Sequence, residues 1–429
     1  MKKTVFVLFL ALILISQGFA RGGSQGSGST QKGGQSVTFL IGRDDASEGT
    51  QAVIDAIQRK LNIRTEIDLR PGGTEGDNII KTRLATGDMT DIFAYNTGSL
   101  LQAINPERNI MDLTNESFAT RLTDDFKRSA SVNGRLYAIP DASTQAGAIL
   151  YNKAIYRQLG LSVPHTWKDF IANCQKIQTA GMTGVIASLK DTWTSQLFIL
   201  GDHYNVKAVY PNFPAEYTAN RAKYATNAVA RRGFEKIAEV LPFINRDYLA
   251  TTYDQAADML AQGQGAHWAI TTGALGTIAK NNPDKIDNVG AFGIPGDDPN
   301  NHGLTVWISN GIYIYKNTKV PDLAKKWIDY YVSEEGIGIY SSARKPDGPF
   351  SIKGIKLPSN VYAAVKEMQP YFDQGKTDVA LEFESPVKGP NLEQICVEVF
   401  TGYRSPMEAA IAYDQDVRKQ AIQLNLPGW

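Results

Sequence analysis

Short apolar blocks alternate with helix-favouring blocks along the first part of the chain, and this pattern predicts strands that alternate with helices. Mainly apolar segments at 37–41 and 91–95 have the length of strands, and residues 65–69 alternate between polar and apolar side chains as a strand does. Residues 50–61 and 76–87 between them place their apolar side chains at helical spacing. Such short repeats predict a parallel sheet with helices on both faces, in which ligands bind beyond the carboxyl ends of the strands.

The stretch 133–167 predicts a connector between two globular bodies. It begins with a polar turn at Asn133-Gly134, continues through an apolar run that ends at Pro140, and reaches a second apolar run at 146–151. Thr166 is suited to cap the helix that follows, because its hydroxyl can accept a free N–H of the first turn. A chain that leaves one body and enters another predicts a ligand site between the two.

The rest of the chain predicts further strands and helices in these two bodies. The expected strands are 185–189, 266–270, 289–294 and one longer strand at 307–315. The expected helices cover about 204–244, a segment that starts at Pro321, and 392–425 with a break at Ser405-Pro406.

The beginning of the chain carries signals for export. Residues 1–20 combine Lys2-Lys3, an apolar run and small residues at Gly18-Phe19-Ala20, which predicts a secretory signal peptide. Residues 21–36 are mostly Gly, Ser and Gln and predict a flexible linker. No cysteine lies near the expected cleavage site to carry an acyl group, so we expect a released, periplasmic protein.

The composition argues against several classes of function. The 429-residue chain has 44 Lys and Arg against 44 Asp and Glu, so its charge gives no support for binding nucleic acid or a membrane surface. Its histidines lack metal-ligand spacing and no nucleotide-binding loop is present, so we expect no metal, no cofactor and no catalysis. Cys174 and Cys396 are compatible with one disulfide, although two buried thiols are the simpler interpretation.

Several short motifs follow one another in a familiar order. They are Gly87-Asp88-Met89-Thr90-Asp91-Ile92-Phe93, Tyr137-Ala138-Ile139-Pro140, Leu150-Tyr151-Asn152-Lys153, Leu159-Gly160-Leu161, Pro164-His165-Thr166-Trp167-Lys168-Asp169-Phe170, Ala261-Gln262-Gly263-Gln264-Gly265-Ala266-His267-Trp268 and Ala324-Lys325-Lys326-Trp327-Ile328-Asp329-Tyr330. Each motif is weak alone. Taken in order, they span nearly the whole chain after the linker, and the sequence resembles the bacterial extracellular solute-binding proteins of sugar ABC transporters, of which maltose-binding protein is the familiar member.

The resemblance implies an α/β fold of the periplasmic-binding-protein-like type II class, with two α/β lobes joined by a multi-strand hinge. The implied boundaries are 37–143 plus 304–338 for lobe 1 and 144–303 plus 339–429 for lobe 2, with crossings near 143–147, 303–307 and 338–344. Members of the family bind a sugar between the lobes, close on it, and present it to the permease of an ABC importer. We therefore expect a monomeric, non-enzymatic sugar-binding protein whose partners are a mono- or oligosaccharide and the permease subunits.

A sugar presents hydroxyls around its edge and C–H bonds on its faces, so its site needs carboxylates, amides and arginines together with aromatic rings. Residues of these types at predicted strand ends and crossings are the candidate ligand-binding residues: Arg43, Asp44, Asp45, Tyr95, Asn96, Gln145, Asp191, Trp193, Trp307 and Arg344. The resemblance implies that Trp193 is the aromatic platform and Asp191 its acidic partner. Many relatives carry a further tryptophan where this chain has Thr271-Thr272-Gly273-Ala274, so one aromatic wall is missing or is supplied by another residue, such as Trp307 or Phe383.

Structural roles remain open for the same residues. Trp193 and Trp307 also fit core positions, Asp191 fits a helix cap, and Arg43 to Asp45 fit a solvated turn. Two other functions also remain open. One is a secreted glycoside hydrolase that uses Asp191 and a second carboxylate as acid and base, and the other is a binding protein for a non-sugar solute.

Overall fold

The computed structural model describes residues 35–43 and 45–429. The expected signal peptide at 1–20, the expected linker as far as residue 34, and Asp44 lie outside the described residues. Gln35 and Ser36, which the sequence assigned to the linker, are instead the first residues of a strand. That strand pairs along its whole length with its neighbour, so backbone hydrogen bonding extends it beyond its apolar residues.

Strands and helices alternate through most of the described chain. The strands are β1 (Gln35–Gly42), β2 (Ile63–Arg70), β3 (Ile92–Tyr95), β4 (Ser131–Val132), β5 (Arg135–Leu136), β6 (Ala138–Pro140), β7 (Gln145–Asn152), β8 (Thr183–Ile186), β9 (Gly265–Thr271), β10 (Val289–Gly293), β11 (Leu304–Trp307), β12 (Gly311–Ile314) and β13 (Thr377–Val379). The α-helices are α1 (Glu48–Leu61), α2 (Gly73–Thr86), α3 (Ser99–Ala103), α4 (Pro106–Asn109), α5 (Asp124–Ser129), α6 (Lys153–Leu159), α7 (Trp167–Thr179), α8 (Leu197–Leu200), α9 (His203–Val209), α10 (Phe213–Thr218), α11 (Ala228–Val240), α12 (Tyr253–Gln262), α13 (Ala274–Asn281), α14 (Pro321–Tyr331), α15 (Glu334–Ala343), α16 (Ala363–Asp373), α17 (Leu381–Glu384), α18 (Leu392–Phe400) and α19 (Pro406–Gln423).

Two large sheets dominate the described chain, and β4 and β5 pair in a separate two-stranded sheet; of the large sheets, the first has the strand order β2-β1-β3-β12-β6. Strand β1 lies parallel to β2 and β3, as the strand–helix repeats at the start of the chain predict. Strand β12, from much later in the chain, lies antiparallel to both β3 and β6. The parallel strands therefore end together at one edge, and the two added strands bring the connector and the late part of the chain to the same sheet.

Local sequence explains where helix α1 begins and ends. The Ser47 hydroxyl accepts a hydrogen bond from the Thr50 N–H at 3.1 Å, which caps the first turn. Asn62 adopts the left-handed conformation, with φ of 56°, and ends the helix. Val53 and Ile57, one turn apart on the same face, are buried in the core of the first sheet, as the helical spacing predicts.

The second sheet is mixed rather than parallel. Its order is β13-β11-β7-β9-β8, and β10 also pairs with β7. Strand β11 pairs with residues 145–147 of β7 and β10 pairs with residues 148–152, so the two strands share one edge of β7. Cys174 and Cys396 are free thiols buried in the core beside this sheet.

The chain passes between the sheets at residues 141–144 and again at 308–310. The sequence predicted one strand at 307–315 and assigned 304–307 to lobe 1, and both predictions are wrong. Residues 304–307 form β11, where Thr305 pairs with Gly147 of the second sheet, whereas 311–314 form β12 in the first sheet. The apolar pattern runs through both strands, so it does not reveal that their pairing partners lie in different sheets.

A third passage follows residue 352, later than the sequence predicted. Helix α15 packs against α1, where Tyr340 lies so close to Gly49 that an added Cβ would come within 2.8 Å of its ring. Phe350 and Ile352 belong to the same core, whereas Val361 belongs to the core of the second sheet. Residues 339–352 therefore lie with the first sheet, because the contact of α15 with α1 keeps them there.

Trp327 holds the returning helix α14 against the first sheet. Its side chain is fully buried, and its ring lies 5.4 Å from that of Phe39. Its indole N–H donates a hydrogen bond to the Thr65 hydroxyl at 2.9 Å, so the polar edge of the ring is also satisfied.

We predict that Trp327→Ala lowers the free energy of unfolding by about 3–5 kcal/mol, because it leaves a large cavity and an unpaired Thr65 hydroxyl. Thr65→Val, which removes only the hydrogen bond, should cost about 1 kcal/mol. Urea denaturation followed by circular dichroism measures both values. Tyr403→Ala is the control, because that ring is 78% exposed. Equal losses for Trp327→Ala and the control would contradict the assignment of Trp327 to the core.

Candidate functional site

A cavity of about 230 Å³ lies between the two sheets. From the first sheet it is lined by residues at or just after the carboxyl ends of β1, β2, β3 and β6, namely Gly42, Arg70, Asn96 and Asp141. From the second sheet it is lined by Gln145, Thr271 and Trp307, at the ends of β7, β9 and β11. The cavity therefore lies where the parallel strands of the first sheet end, which is the usual ligand position in such sheets.

Arg70 is the central cation of the first wall. Its side chain is buried, and its guanidinium donates to the carbonyl of Ala94 at 3.1 Å and to that of Pro71 at 3.0 Å. Both acceptors are uncharged carbonyl groups, so these hydrogen bonds do not neutralise the positive charge of Arg70. It acts on the nearby carboxyl of Asp45, whose pKa it lowers in opposition to the larger effect of burial.

Two carboxyl groups of the same wall, Asp45 and Asp141, interact strongly. Burial, and next the negative charge of Asp45, raise the pKa of Asp141 to about 8. Burial also raises the pKa of Asp45, although Arg70 and Arg344 oppose it. Two carboxylates that interact this strongly do not both ionise readily, so the pair retains a proton at neutral pH.

Aromatic rings form much of the second wall. Trp193 lies in a 3₁₀ turn, Thr192–Gln196, and its ring centre is 5.5 Å from that of Tyr253. Trp307 lies across β7, where a Cβ added at Gly147 would come within 3.0 Å of its ring. Both tryptophans are half-buried, so each keeps an accessible surface in the cavity.

Arg344 and Asp347 connect the late passage of the chain to the cavity. Arg344 donates to Asp347 Oδ2 at 3.0 Å and to the carbonyl of Gly273 at 3.2 Å. Burial raises the pKa of Asp347 to about 6, although Arg344 acts in the opposite direction. Arg344 thereby ties a segment of the first body to the start of α13 in the second.

Several residues of the cavity wall carry buried polar atoms that have no hydrogen-bond partner among the described residues. The atoms are Arg70 Nε, Gln196 Oε1, Ser309 Oγ, Arg344 Nε and Asp347 Oδ1. Buried polar atoms are nearly always satisfied in folded proteins. The wall is therefore suited to a polar, hydrogen-bonding ligand rather than an apolar one.

The structure places many of the predicted site residues around this cavity. Those that line it are Asp45, Asn96, Gln145, Trp193, Trp307 and Arg344. Their roles in ligand binding stay predictions. Asp44 lies outside the described residues.

The structure places three other candidates away from the cavity. The Asp191 carboxylate accepts the backbone N–H of Tyr253 at 2.6 Å, so it supports the start of α12. Tyr95 is fully buried, with its ring 6.0 Å from the Arg70 guanidinium, and so lies behind the wall. Arg43 is exposed, and its described contact is a backbone hydrogen bond to the Arg70 carbonyl at 2.9 Å.

Sequence reasoning missed several lining residues: Arg70, Asp77, Asp141, Tyr253, Asp347, Glu382, Lys388 and Glu393. A signal existed for Arg70 and Asp141, because Arg70 follows the predicted strand at 65–69 and Asp141 follows the apolar run that ends at Pro140. Lys388 and Glu393 follow no strand of the first wall. They reach the cavity only through the packing of the C-terminal segment, so no local pattern marked them.

Residues 35–43 and 45–429 contain no group of three or more His, Cys, Asp or Glu side chains placed to hold a metal ion. None of the helices in these ranges combines the length and apolar character of a membrane span.

Comparison with known families agrees with this architecture. The family model described as "Bacterial extracellular solute-binding protein" matches residues 44–337, well over half of the chain. The chain belongs to the bacterial extracellular solute-binding protein family. This family consists of solute-binding proteins exported by bacteria, as the resemblance of the sequence motifs predicted.

Two relatives in this solute-binding family are similar over most of their length. The "Multiple sugar-binding protein" of Streptococcus mutans is 22% identical over 298 residues, which cover 67% of this chain and 68% of the relative. The "Melibiose/raffinose/stachyose-binding protein MelE" of Bacillus subtilis is 23% identical over 395 residues, which cover 87% and 88%.

Solved structures show the same fold. A "Chitin oligosaccharide binding protein" superposes with a TM-score of 0.77 at 18% identity, covering 90% of this chain and 99% of that one. An "SBP RafE in complex with raffinose" superposes with a TM-score of 0.72 at 20% identity, covering 91% and 99%. The predicted two-lobed, type II periplasmic-binding-protein fold is therefore confirmed.

The pKa of Asp141 yields a prediction for the pH dependence of stability. Its folded-state pKa of about 8 lies above the ordinary value of 3.8, so the folded protein retains a proton that the unfolded chain releases. The free energy of unfolding should therefore fall as pH rises from 5 to 8, on the order of 1 kcal/mol per pH unit, and level off above that range. Asp141→Asn should flatten this dependence, as measured by urea denaturation at several pH values.

The exposed residue Asp88 supplies the matched control, because Asp88→Asn removes the same charge outside the cavity. The control should follow the wild-type profile. Parallel profiles for the wild type and Asp141→Asn would contradict the shifted pKa.

Proposed function

We propose that this solute-binding protein captures a carbohydrate between its two sheets and delivers it to the membrane-spanning subunits of an ABC importer. The observation that carries the proposal is the composition of one cavity. Trp193 and Trp307 supply ring faces, and Asp45, Asn96 and Gln145 supply polar groups.

This combination fits the chemistry of a sugar. The C–H bonds on the face of a pyranose ring pack on an aromatic surface, while its hydroxyls both donate and accept hydrogen bonds. Carboxylates accept, guanidinium groups donate, and amides such as those of Asn96 and Gln145 do both. A purely apolar ligand would leave the polar groups of this wall unsatisfied.

The relatives named above support the same ligand class. Their names describe sugars or oligosaccharides as their ligands. The identities of 18–23% do not identify the particular sugar.

Capture would proceed by closure of the two lobes. Contacts already join them: the Thr74 hydroxyl donates to Glu393 Oε2 at 3.2 Å, and Lys280 Nζ lies 3.1 Å from Glu48 Oε1. In this proposal the first lobe is built around β1 and the second around β7. Ligand contacts to both lobes stabilise the closed form over the open one.

The expected cellular setting follows from the same proposal. Residues 1–20 would direct export and be removed, and the mature protein would act in the periplasm as a monomer. It would meet the permease in the closed, loaded form.

A secreted glycoside hydrolase is the competing function. The raised pKa of Asp141 is the observation that makes hydrolysis worth testing. A carboxyl group that stays protonated near neutral pH is suited to general acid catalysis. A hydrolase would release reducing ends from an oligosaccharide, whereas a binding protein would return it intact.

Thermal-shift screening tests the proposal. The panel contains monosaccharides, raffinose, stachyose and chitin oligosaccharides, together with amino acids and a polyamine as the non-sugar arm. We expect at least one sugar to raise the melting temperature by several degrees, since saturation at about 100 times Kd adds about 2.7 kcal/mol of stability. Stabilisation by the non-sugar arm alone, or release of reducing ends during incubation, would contradict the proposal.

We further predict that Trp193→Ala weakens binding of the stabilising sugar by roughly 1–3 kcal/mol, the scale of a lost aromatic contact. Isothermal titration calorimetry measures the change, and circular dichroism checks that the fold is intact. Tyr403→Ala replaces an exposed ring outside the cavity and should leave affinity unchanged. Unchanged affinity in Trp193→Ala would remove this residue from the site.

A further inference from the structure

The charges that line the cavity do not balance. The acidic residues are Asp45, Asp77, Asp141, Asp347, Glu382 and Glu393. The basic ones are Arg70, Arg344 and Lys388. A site for an uncharged sugar has no electrostatic need for such an excess of carboxyl groups, and each buried carboxylate without a counter-charge is costly.

Two of the three cations are already used in ion pairs. Arg344 lies 3.0 Å from Asp347, and Lys388 lies 2.9 Å from Glu382. The remaining cation, Arg70, faces the remaining carboxyl groups without an ion pair of its own among the described residues, although Arg344 also acts on Asp45 and Asp141. The excess negative charge of the cavity is therefore concentrated on the first wall, with Glu393 at the rim.

Asp45 and Asp141 are the centre of this excess. Asp141 is 7% exposed, and no other side chain of the described residues donates a hydrogen bond to its carboxyl group. Backbone N–H groups of Asp141 and Ala142 are the donors beside it. Asp45 receives a long hydrogen bond of 3.4 Å from the Asn310 amide. Both carboxyl groups thus keep acceptor capacity that the protein itself does not use.

A second, independent feature of the wall is a buried carboxylate oxygen that lacks a hydrogen-bond donor among the described residues. Asp347 Oδ1 belongs to a side chain that is 3% exposed, and it has no hydrogen-bond partner among the described residues. Arg344 engages only the other oxygen of this carboxylate. The cavity therefore presents unused anionic oxygens from the first wall and from the late passage of the chain.

We propose that the carbohydrate carries a protonated amine, and that this ammonium group binds between Asp45 and Asp141. This inference rests on the proposed function and names the class of sugar. An ammonium group offers three N–H donors and a positive charge, so it satisfies both carboxylates with charge-assisted hydrogen bonds. A hydroxyl at the same place supplies one donor and no charge, and the pair would then have to keep its proton.

Matched sugars that differ at one substituent test the inference. The probes are glucosamine, glucose and N-acetylglucosamine, the corresponding galactose series, and short chitosan and chitin oligosaccharides. Isothermal titration calorimetry at pH 7 should show at least about tenfold tighter binding for the free amine than for its hydroxyl or N-acetyl counterpart. A smaller preference, or tighter binding of the neutral sugar, overturns the inference and leaves the proposed function standing.

Substitutions of the two carboxyl groups test where the ammonium group binds. Asp141→Asn should weaken binding of the amine-bearing sugar by at least about tenfold more than it weakens binding of the neutral counterpart. Asp45→Asn supplies a second variant should Asp141→Asn fail to fold, and Asp88→Asn is the surface control. A preference for the amine that persists in both cavity variants overturns the assignment to this pair. Binding of no sugar of either kind would overturn the proposed function together with the inference.

Discussion

Repeated passage of the chain between its two sheets is the constraint on which the site depends. Each passage sets the end of a strand from one sheet beside the start of a strand in the other, as between Pro140 and Gln145 or between Trp307 and Gly311. Residues far apart in sequence thereby line one cavity. The same connections limit relative movement of the lobes to a hinge, because separate strands would have to bend together.

This arrangement also explains the electrostatics of the wall. Strand ends from the first sheet bring Asp45, Arg70 and Asp141 together in a partly buried space, where charges interact more strongly than in water. Ion pairs elsewhere in the wall are complete, so the unbalanced groups cluster opposite the tryptophans. In the proposed function, a ligand that packs on the rings would be held against the carboxyl groups, and closure of the lobes would remove water from both contacts.

Much of the fold was readable from the sequence because local patterns specify local elements. The spacing of Val53 and Ile57 gave helix α1, and Ser405-Pro406 marked the start of α19, where a capping box confirms the predicted break. The prediction of one strand at 307–315 was wrong because apolar character does not specify which sheet a strand joins. The site was only partly predictable: rules for strand ends led to Asp45 and Asn96, whereas Glu393 reaches the cavity through tertiary packing that no local pattern encodes.

The proposed occupant of the cavity between the sheets is a carbohydrate. The most direct measurement is mass spectrometry of the solute released when the protein, produced by bacteria in a medium rich in mixed oligosaccharides, is denatured. We expect a carbohydrate in an amount no greater than that of the protein. We expect it to be absent from a Trp193→Ala, Trp307→Ala double variant purified in parallel. Release of a solute without a sugar ring, or equal recovery of the same sugar from the double variant, would contradict it.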